Sequence, residues 1–224
     1  FNGEEKMKKS FLWVLVLGTA LLLFTASGAI AATVTFSNIT DGDLSPLLFD
    51  VGNTAPIGDG NTLDIGLNNF KADGGGVASL SALDTLSFKI TAPEGYYITK
   101  VSYYEEGQGQ TNLGVSIATG SITAAGIPQN LGVHIYNSAM VGPVPWSLGP
   151  GDIPIPGQQQ SIDVSLVNSL FATTIPGGAD IAWIEKTKAT VAVEIAAIPI
   201  PSAVWLLFSG LACMMGLRKK FKNR

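Results

Sequence analysis

Polar and apolar residues alternate with a period of two in seven stretches of the chain, the pattern of β-strands that bury one face. The stretches are TVTFSNI (33–39), DTLSFKIT (84–91), YYITKVSYY (96–104), LGVSIATGSI (113–122), LGVHIYN (131–137), QSIDVSLV (160–167) and KATVAVEI (188–195). Clusters rich in Gly, Asp, Asn and Pro separate them and predict turns. The pattern therefore predicts an all-β domain, an antiparallel β-sandwich with a jelly roll as one arrangement that it allows.

Three stretches depart from this alternation. Residues 78–84 and 166–173 could each form a short helix, although neither keeps a helical period for three turns. Residues 141–160, VGPVPWSLGPGDIPIPGQQQ, contain five prolines and four glycines and predict a long ordered loop. Such a loop either carries a binding site or covers one edge of the sandwich.

The N-terminal region has the composition of a secretory signal peptide. Met7 and two lysines precede an apolar run over residues 11–24, and Ala29 and Ala31 then give the small-x-small pattern that a signal peptidase accepts before Ala32. Residues 7–31 are therefore predicted to be a cleaved signal helix, too short in its apolar part for a permanent membrane span. Residues 1–6, FNGEEK, fit no signal peptide and are interpreted as mistranslation of a purine-rich tract upstream of a start at Met7.

The C-terminal region predicts a single membrane crossing. Residues 198–217 are 20 residues long, and a helix of that length covers ~30 Å, the thickness of the hydrocarbon core. Basic residues follow at once and are expected to stay on the cytoplasmic side: Arg218, Lys219, Lys220, Lys222 and Arg224. With an exported N-terminus, residues 32–197 form the domain outside the membrane.

The start of this C-terminal region carries a proline motif that a plain anchor does not need. Ile198, Pro199, Ile200, Pro201 and Ser202 are followed by AVWLLFSGL (203–211) and then by the basic tail. The order of proline motif, apolar span and basic end resembles the PEP-CTERM class of bacterial sorting signals, most closely its VPLPA-type variant. Isoleucines replace the first Val and the Leu of that variant, and Ser202 replaces its first Ala.

The resemblance covers residues 198–224 and implies a route, not an activity. Such proteins are exported by Gram-negative bacteria, held in the inner membrane as a precursor, and processed near the proline motif by exosortase. They reach the cell surface or the extracellular matrix and are commonly associated with exopolysaccharide and biofilms. The expected partners are thus signal peptidase, exosortase and an exopolysaccharide, with a permanent membrane anchor as the alternative. Cys213 lies inside the apolar span and is expected to be an inert buried thiol.

The composition of residues 32–197 excludes several classes of function. The segment has five lysines, no arginine and 15 acidic residues, which leaves a net charge of −10. Nucleic-acid binding is not expected, because it depends on clusters of Lys and Arg. The segment also has no cysteine, so it has neither disulfides nor a thiol nucleophile.

The residues needed for catalysis are scarce as well. His134 is the only histidine, and the alternation of LGVHIYN places it opposite the apolar residues, away from the main core. Glu105 and Glu106 are adjacent on a strand and must point to opposite faces. No catalytic residue is predicted, and the domain is interpreted as non-enzymatic, with a carboxylate-based glycoside hydrolase or lyase as the remaining enzymatic alternative.

Two ligand hypotheses rest on residue type. A calcium site is suggested by five closely spaced oxygen donors: Asp41, Asp43, Asp59, Asn61 and Asp64. Turns require the same residue types, and they are the favoured explanation. No other cofactor or metal is predicted. Aromatic side chains suggest sugar contact as an alternative to core packing: Tyr104, Trp146 and Trp183. The sequence thus predicts a structural or adhesive surface protein first, a carbohydrate-binding module second and a hydrolase third.

Overall fold

The computed structural model describes residues 32–42, 47–75, 80–140, 142–174 and 181–199, together with residues 206, 207, 209–211 and 214. Almost all of the described chain is β-structure. The strands are β1 (Thr35–Asp41), β2 (Phe49–Ile57), β3 (Thr62–Leu67), β4 (Lys71–Asp73), β5 (Leu80–Thr91), β6 (Tyr96–Asn112), β7 (Gly114–Ala124), β8 (Ile127–Tyr136), β9 (Val144–Pro154), β10 (Ser161–Thr174) and β11 (Ile181–Ala197).

The strands form two antiparallel sheets. Sheet A has the order β1-β5-β10-β7-β8, and sheet B has the order β2-β3-β11-β6-β9, with β4 paired to β11 beside β3. Each of the seven alternating stretches lies within or overlaps one of these strands, so the all-β, antiparallel prediction is confirmed. The jelly-roll variant stays a prediction.

The core lies between the two sheets. Along β10, Val164, Leu166 and Leu170 point inward and are buried, and along β11 Ile184 and Val191 do the same. Fully burying an aliphatic side chain of this size contributes about 1.5 to 3 kcal/mol, which is why period two in the sequence is sufficient to define the faces. Sheet A and sheet B therefore form a β-sandwich.

The proline-rich segment is a strand and not the predicted long loop. Residues 144–154 form β9, which pairs with β6 from Lys100 to Gly109 at the edge of sheet B. An edge strand bonds to one neighbour only, so a proline whose nitrogen faces away from β6 costs no ladder hydrogen bond. Pro145 and Pro154 lie in the paired parts of this edge strand, and Pro150 lies where the register is irregular between Tyr103 and Glu105.

The two short helices allowed by the sequence are also not formed. The described part of residues 78–84 belongs to β5 and pairs with β10, and residues 166–173 belong to β10, which pairs with β5 over 161–172 and with β7 over 164–174. These ladder hydrogen bonds override the weak local preference of both stretches for helix.

The predicted segments at the chain ends lie mostly outside the described residues. These comprise the signal peptide with Ala29 and Ala31, the basic tail, and Ile200, Pro201 and Ser202 of the proline motif. Among the residues that the structure describes, no helix is both long and apolar enough to cross a membrane. The C-terminal span therefore stays a prediction.

Candidate functional site

A groove of about 680 Å³ opens along β6 of sheet B, between β11 and β9, and a residue of β8 in sheet A also lines it. We call it the β6 groove and define it by its lining residues: Tyr104, Glu106, Gly107, Gln108, His134, Pro145, Trp146, Ser147 and Thr187. Even-numbered residues of β6 face the groove because successive strand residues point to opposite sides, and the odd-numbered Tyr103 and Glu105 are buried in the core. The alternation of β6 thus separates a polar outer face from a core face.

Gly107 lets β9 approach β6 closely. A Cβ atom at this position would lie 2.4 Å from the Trp146 ring and 2.1 Å from the carbonyl oxygen of Glu185. The indole therefore occupies the space that a side chain on residue 107 would take. Trp146 is buried with 4% of its surface exposed, so it forms the floor of the β6 groove and not an open platform.

His134 packs against this floor, which corrects the expectation that it points away from the core. Its ring lies 6.3 Å from Trp146 in a stacked arrangement and 4.5 Å from Tyr136 edge to face. Val133 and Ile135 take the outer face instead, each more than half exposed. The register of β8 against β7 shifts between Gly120 and Ser121, and sequence alternation alone could not show which face of β8 would turn inward.

The environment of His134 favours its neutral form. Burial lowers the pKa of the imidazole from its ordinary value of 6.5. Its Nε2 atom is buried and has no hydrogen-bond partner among the described residues. The imidazole packs against the Trp146 and Tyr136 rings where it lines the groove.

The rim of the β6 groove carries the polar groups. The Tyr104 hydroxyl donates a hydrogen bond of 2.9 Å to Glu106, and the Gln108 amide donates one to the Glu185 carboxylate. Nζ of Lys188 lies 3.9 Å from Glu106, and both side chains are about half exposed. Carboxylate, amide, hydroxyl and ammonium groups are thus fixed side by side along two paired strands.

Trp183 extends this polar face beyond the β6 groove. It lies on β11 opposite Gln110, and Nζ of Lys71 sits 5.0 Å from the centre of its ring. Tyr104 and Gln110 are six positions apart on one strand, so the two aromatic side chains are separated by about 20 Å along the sheet. Tyr104 and Trp183 therefore lie on the outer face of sheet B, whereas Trp146, which pairs with Gly107, lies on the core face; only Tyr104 and Trp146 line the groove.

The predicted calcium residues do not meet in one place within the described structure. Asp59 accepts a hydrogen bond from the backbone of Asn61 in the turn after β2, and Oδ1 of Asn61 accepts one from the backbone of Val34. Asp41 instead lies beside Asp84 at the end of β1. Among the described residues no three His, Cys, Asp or Glu side chains form a metal-binding group, and Asp43 lies outside them. The calcium site stays a prediction.

A second polar cluster, which the sequence reasoning missed, lies inside the sandwich. Lys186 and Glu105 form an ion pair of 2.8 Å in which neither side chain is exposed, and Asn168 bonds to the Tyr103 hydroxyl at 2.9 Å. All four residues occupy inward positions of otherwise apolar strand faces. Extending the alternation of VSYYE, VSLVN and AWIEK by one step would have placed these polar groups in the core.

No protein-family model and no curated protein matches the sequence. Solved structures with some similarity include the carbohydrate-binding module TmCBM61 in complex with beta-1,4-galactotriose, at 12% identity and a TM-score of 0.27, covering 73% of this chain and 89% of that one. Murine APRIL has 10% identity and a TM-score of 0.25 and covers 56% and 99%. The enzymatically active domain of bacteriophage CBA120 tailspike protein 4 has 11% identity and a TM-score of 0.18 and covers 75% and 20%. Scores this low assign no function, and the class of the protein follows from its own two antiparallel sheets.

Proposed function

We propose that the chain is an exported, non-enzymatic adhesive protein of the cell surface or extracellular matrix, which holds a polysaccharide along the outer face of sheet B. The β6 groove carries this proposal. Its rim presents hydroxyl, amide and carboxylate groups held in place by each other, and such groups exchange hydrogen bonds with sugar hydroxyls. The Tyr104 and Trp183 rings offer apolar surfaces for sugar faces at the two ends of the same stretch.

The charge of the domain indicates which polysaccharide it takes. Residues 32–197 carry a net charge of −10, and the lysines on the outer face of sheet B, Lys71, Lys100 and Lys188, each lie beside an acidic side chain. An anionic polymer would meet long-range repulsion that salt screens only in part. The expected ligand is therefore a neutral polysaccharide.

A binding experiment tests this site. Affinity electrophoresis of the purified protein through gels that contain neutral or anionic polysaccharides should show retardation by a neutral one. Replacing Tyr104 or Gln108 with Ala should weaken retardation several-fold, because each removes a rim group. Thr85→Ala, on the outer face of sheet A, is the matched control and should bind as the wild type does. Equal binding by all four proteins would place the ligand elsewhere.

The proposal includes the absence of hydrolysis. Glu106 and Glu185 are the carboxylates nearest the β6 groove, and each is hydrogen-bonded to a neighbouring side chain that holds it in a binding position. Incubation with a retained polysaccharide should leave its chain length unchanged. Shortened products that disappear in Glu106→Gln would make the protein a glycosidase.

Delivery by the C-terminal sorting signal is the second part of the proposal. The backbone nitrogen of Ile198 donates a hydrogen bond of 2.8 Å to Gly95, so the sandwich ends where the proline motif begins. Ile198 and Pro199 are both exposed. An extended, accessible segment beside the folded domain is what a processing enzyme requires, and exosortase is the enzyme that the resemblance implies.

A further inference from the structure

Four polar side chains lie in contact at the centre of the sandwich, where the proposed function gives them no role. Lys186 comes from β11, Glu105 and Tyr103 from β6, and Asn168 from β10. At most 4% of the surface of any of these residues is exposed. Burial of a primary amine, a carboxyl and a carboxamide is costly unless they are paired, so their presence requires an explanation.

Lys186 and Asn168 lie at the same level on facing strands. At one end of the sandwich Gly74 bridges the two sheets: its nitrogen bonds to the carbonyl of Ala182 at 2.8 Å, and a Cβ on it would lie 3.0 Å from the carbonyl of Ala172. We count from this common level towards the N-terminus of β10 and towards the C-terminus of β11. In both directions every second residue points inward. Two inward steps from Ala172 reach Asn168, and two inward steps from Ala182 reach Lys186.

Glu105 lies beside both of them. Its Oε2 atom is 2.8 Å from Nζ of Lys186. A Cβ atom placed on Gly120 would lie 2.2 Å from Oε1 of Glu105 and 2.9 Å from Oδ1 of Asn168, so these two oxygen atoms are close neighbours across the sandwich. The carboxyl group thus reaches from the amine towards the carboxamide, and Gly120 leaves the space in which they meet.

We propose that Lys186 and Asn168 join in an intramolecular amide bond, with Glu105 carrying the protons of the reaction. An amine attacks a carboxamide when the two are held together, since confinement on one scaffold replaces a slow bimolecular encounter. The carboxyl group of Glu105 lies where a general acid and base for both partners must lie. No cofactor or oxidant enters the reaction.

The dry surroundings prepare the amine. Burial lowers the pKa of Lys186 to about 8, while the nearby Glu105 opposes that shift. Loss of one proton from Nζ leaves the neutral amine that attacks, and the low dielectric of the core favours this uncharged form. The Phe70 ring lies 4.8 Å from Nζ and helps to exclude water that would compete for the carboxamide.

The reaction exchanges one C–N bond for another. The lone pair of Lys186 Nζ attacks Cγ of Asn168 to form the new C–N bond, and the bond from Cγ to Nδ2 breaks. Of the three protons initially on Nζ, one remains on the amide, one passes through Glu105 to the departing nitrogen, which leaves as ammonia, and one stays on the Glu105 carboxyl. The protein loses one molecule of ammonia and nothing is oxidised or reduced.

Such a bond would tie sheet A to sheet B in a domain that has no disulfide. Residues 32–197 contain no cysteine, so an exported protein of this sequence has no thiol-based cross-link there. A covalent link between β10 and β11 restricts the unfolded chain in the same way as a disulfide does. This inference is independent of the β6 groove, because the reacting groups lie in the core and not on the binding face.

Peptide mass spectrometry of the full chain tests the bond. No Lys or Arg lies between Lys100 and Lys186, and trypsin does not cut after an acylated lysine. The expected tryptic peptide therefore starts at Val101, runs through Lys186 to Lys188, and is lighter than its sequence by one ammonia. Chymotrypsin cuts after Phe171, between the two residues, and should release a branched peptide in which the Asn168 and Lys186 fragments stay joined.

Variants exclude other sources of the same mass. In Lys186→Arg the cation cannot attack the carboxamide, so the protein should have the full mass of its sequence. A loss of one ammonia that persists in this variant would indicate a succinimide at Asn168 and overturn the proposal. Asn168→Asp should form the same amide by losing water, and so give a product of the same mass as the wild type. Glu105→Gln should slow formation by roughly 100-fold or more. Folded wild-type protein that is cut after Lys186 and gives no branched peptide would also overturn the proposal, whatever the variants do.

Discussion

Oε2 of Glu105 lies 2.8 Å from Nζ of Lys186, and neither side chain exposes any surface. The two residues belong to paired strands of one sheet, and both point towards the other sheet. Removing one member of a buried ion pair typically costs 3–5 kcal/mol, because the other charge stays buried without its partner. Loss of either group is therefore expected to destabilise the sandwich.

Gly120→Ala is expected to destabilise the fold. The new Cβ would stand 2.2 Å from Glu105 and 2.9 Å from Asn168, and neither side chain can move away through the packed core. The free energy of unfolding in denaturant should fall by about 1 to 3 kcal/mol. Gly52→Ala is the control, since its nearest atom is an exposed carboxylate oxygen at 3.3 Å, and it should leave stability nearly unchanged. Equal effects of the two changes would contradict the close contact at Gly120.

Asn168→Ala should reveal the titration of Lys186, because the amine stays free in this variant. The pKa of the buried amine is about 8 and its ordinary value is 10.5, so the unfolded state binds more protons between these values. Stability should therefore rise with pH, by ~1 to 2 kcal/mol from pH 8 to 9.5. Glu105 faces the same amine, and burial raises the pKa of Tyr103, a neighbour of Glu105, well above 10, so the phenol stays protonated in this range.

The check is the same titration in Asn168→Ala combined with Lys186→Met, which should lose the rise. A rise of equal size in the double variant would assign it to another group. In the wild type the rise should be absent, since an amide nitrogen does not titrate.

Asp41→Asn should change how stability responds to mild acid. Burial first, and then the neighbouring carboxylate of Asp84, raise the pKa of Asp41 from 3.8 to about 6. The folded state therefore binds more protons than the unfolded state between these values, and this contribution to stability is present below pH 4 and is lost as the pH rises to 6. Melting temperatures from pH 4 to 6 should fall more in the wild type than in Asp41→Asn; parallel curves would contradict the assignment.

Trp183→Ala is expected to weaken the binding of long saccharides more than that of short ones. Trp183 stands about 20 Å from Tyr104 along sheet B, so only a chain that spans this distance contacts both rings. Loss of the ring should cost about 1 kcal/mol for the long ligand, several-fold in Kd. Trp183→Phe keeps an aromatic ring and serves as the control in calorimetric titrations with oligosaccharides of increasing length. An equal loss at every length would mean that the binding face does not extend to Trp183.

Alternation of side chains predicted most of sheet A from the sequence and less of sheet B. β5, β7 and β10 each bury one face, so Leu86, Ile122 and Leu166 mark the core in the sequence itself. β9 was not predicted because its prolines indicate a loop: a proline cannot donate a ladder hydrogen bond in a strand that has neighbours on both sides. The prolines are tolerated because β9 lies at the edge of sheet B and pairs with β6 only. β2 and β3 were hidden by a dense set of turn residues around Asp59.

The candidate sites depended on information that the sequence holds only in part. Tyr104 and Trp146 were identified by residue type, but the β6 groove forms because Gly107 admits the Trp146 ring, a contact between strands that are far apart in sequence. Lys186, by contrast, could have been found, since it follows Ala182 and Ile184 at intervals of two. The inward face of β8 could not be predicted, because a register shift against β7 decides it.

Export and sorting decide whether the proposed binding site can act, because it must reach the matrix to bind a polysaccharide there. Replacing Pro199 and Pro201 with Ala should leave membrane insertion intact and stop processing, since the motif and not the apolar span is what the enzyme reads. Unchanged processing would mean that the proline motif is not a sorting signal.

Export and sorting are tested by intact mass spectrometry of the protein from its native cells, together with the cell fraction from which it was recovered. We expect a chain that begins at Ala32 and ends between Pro199 and Ser202, in the envelope or matrix fraction. A mass that extends to Arg224, in the inner membrane, would contradict sorting and make the C-terminal region a permanent anchor.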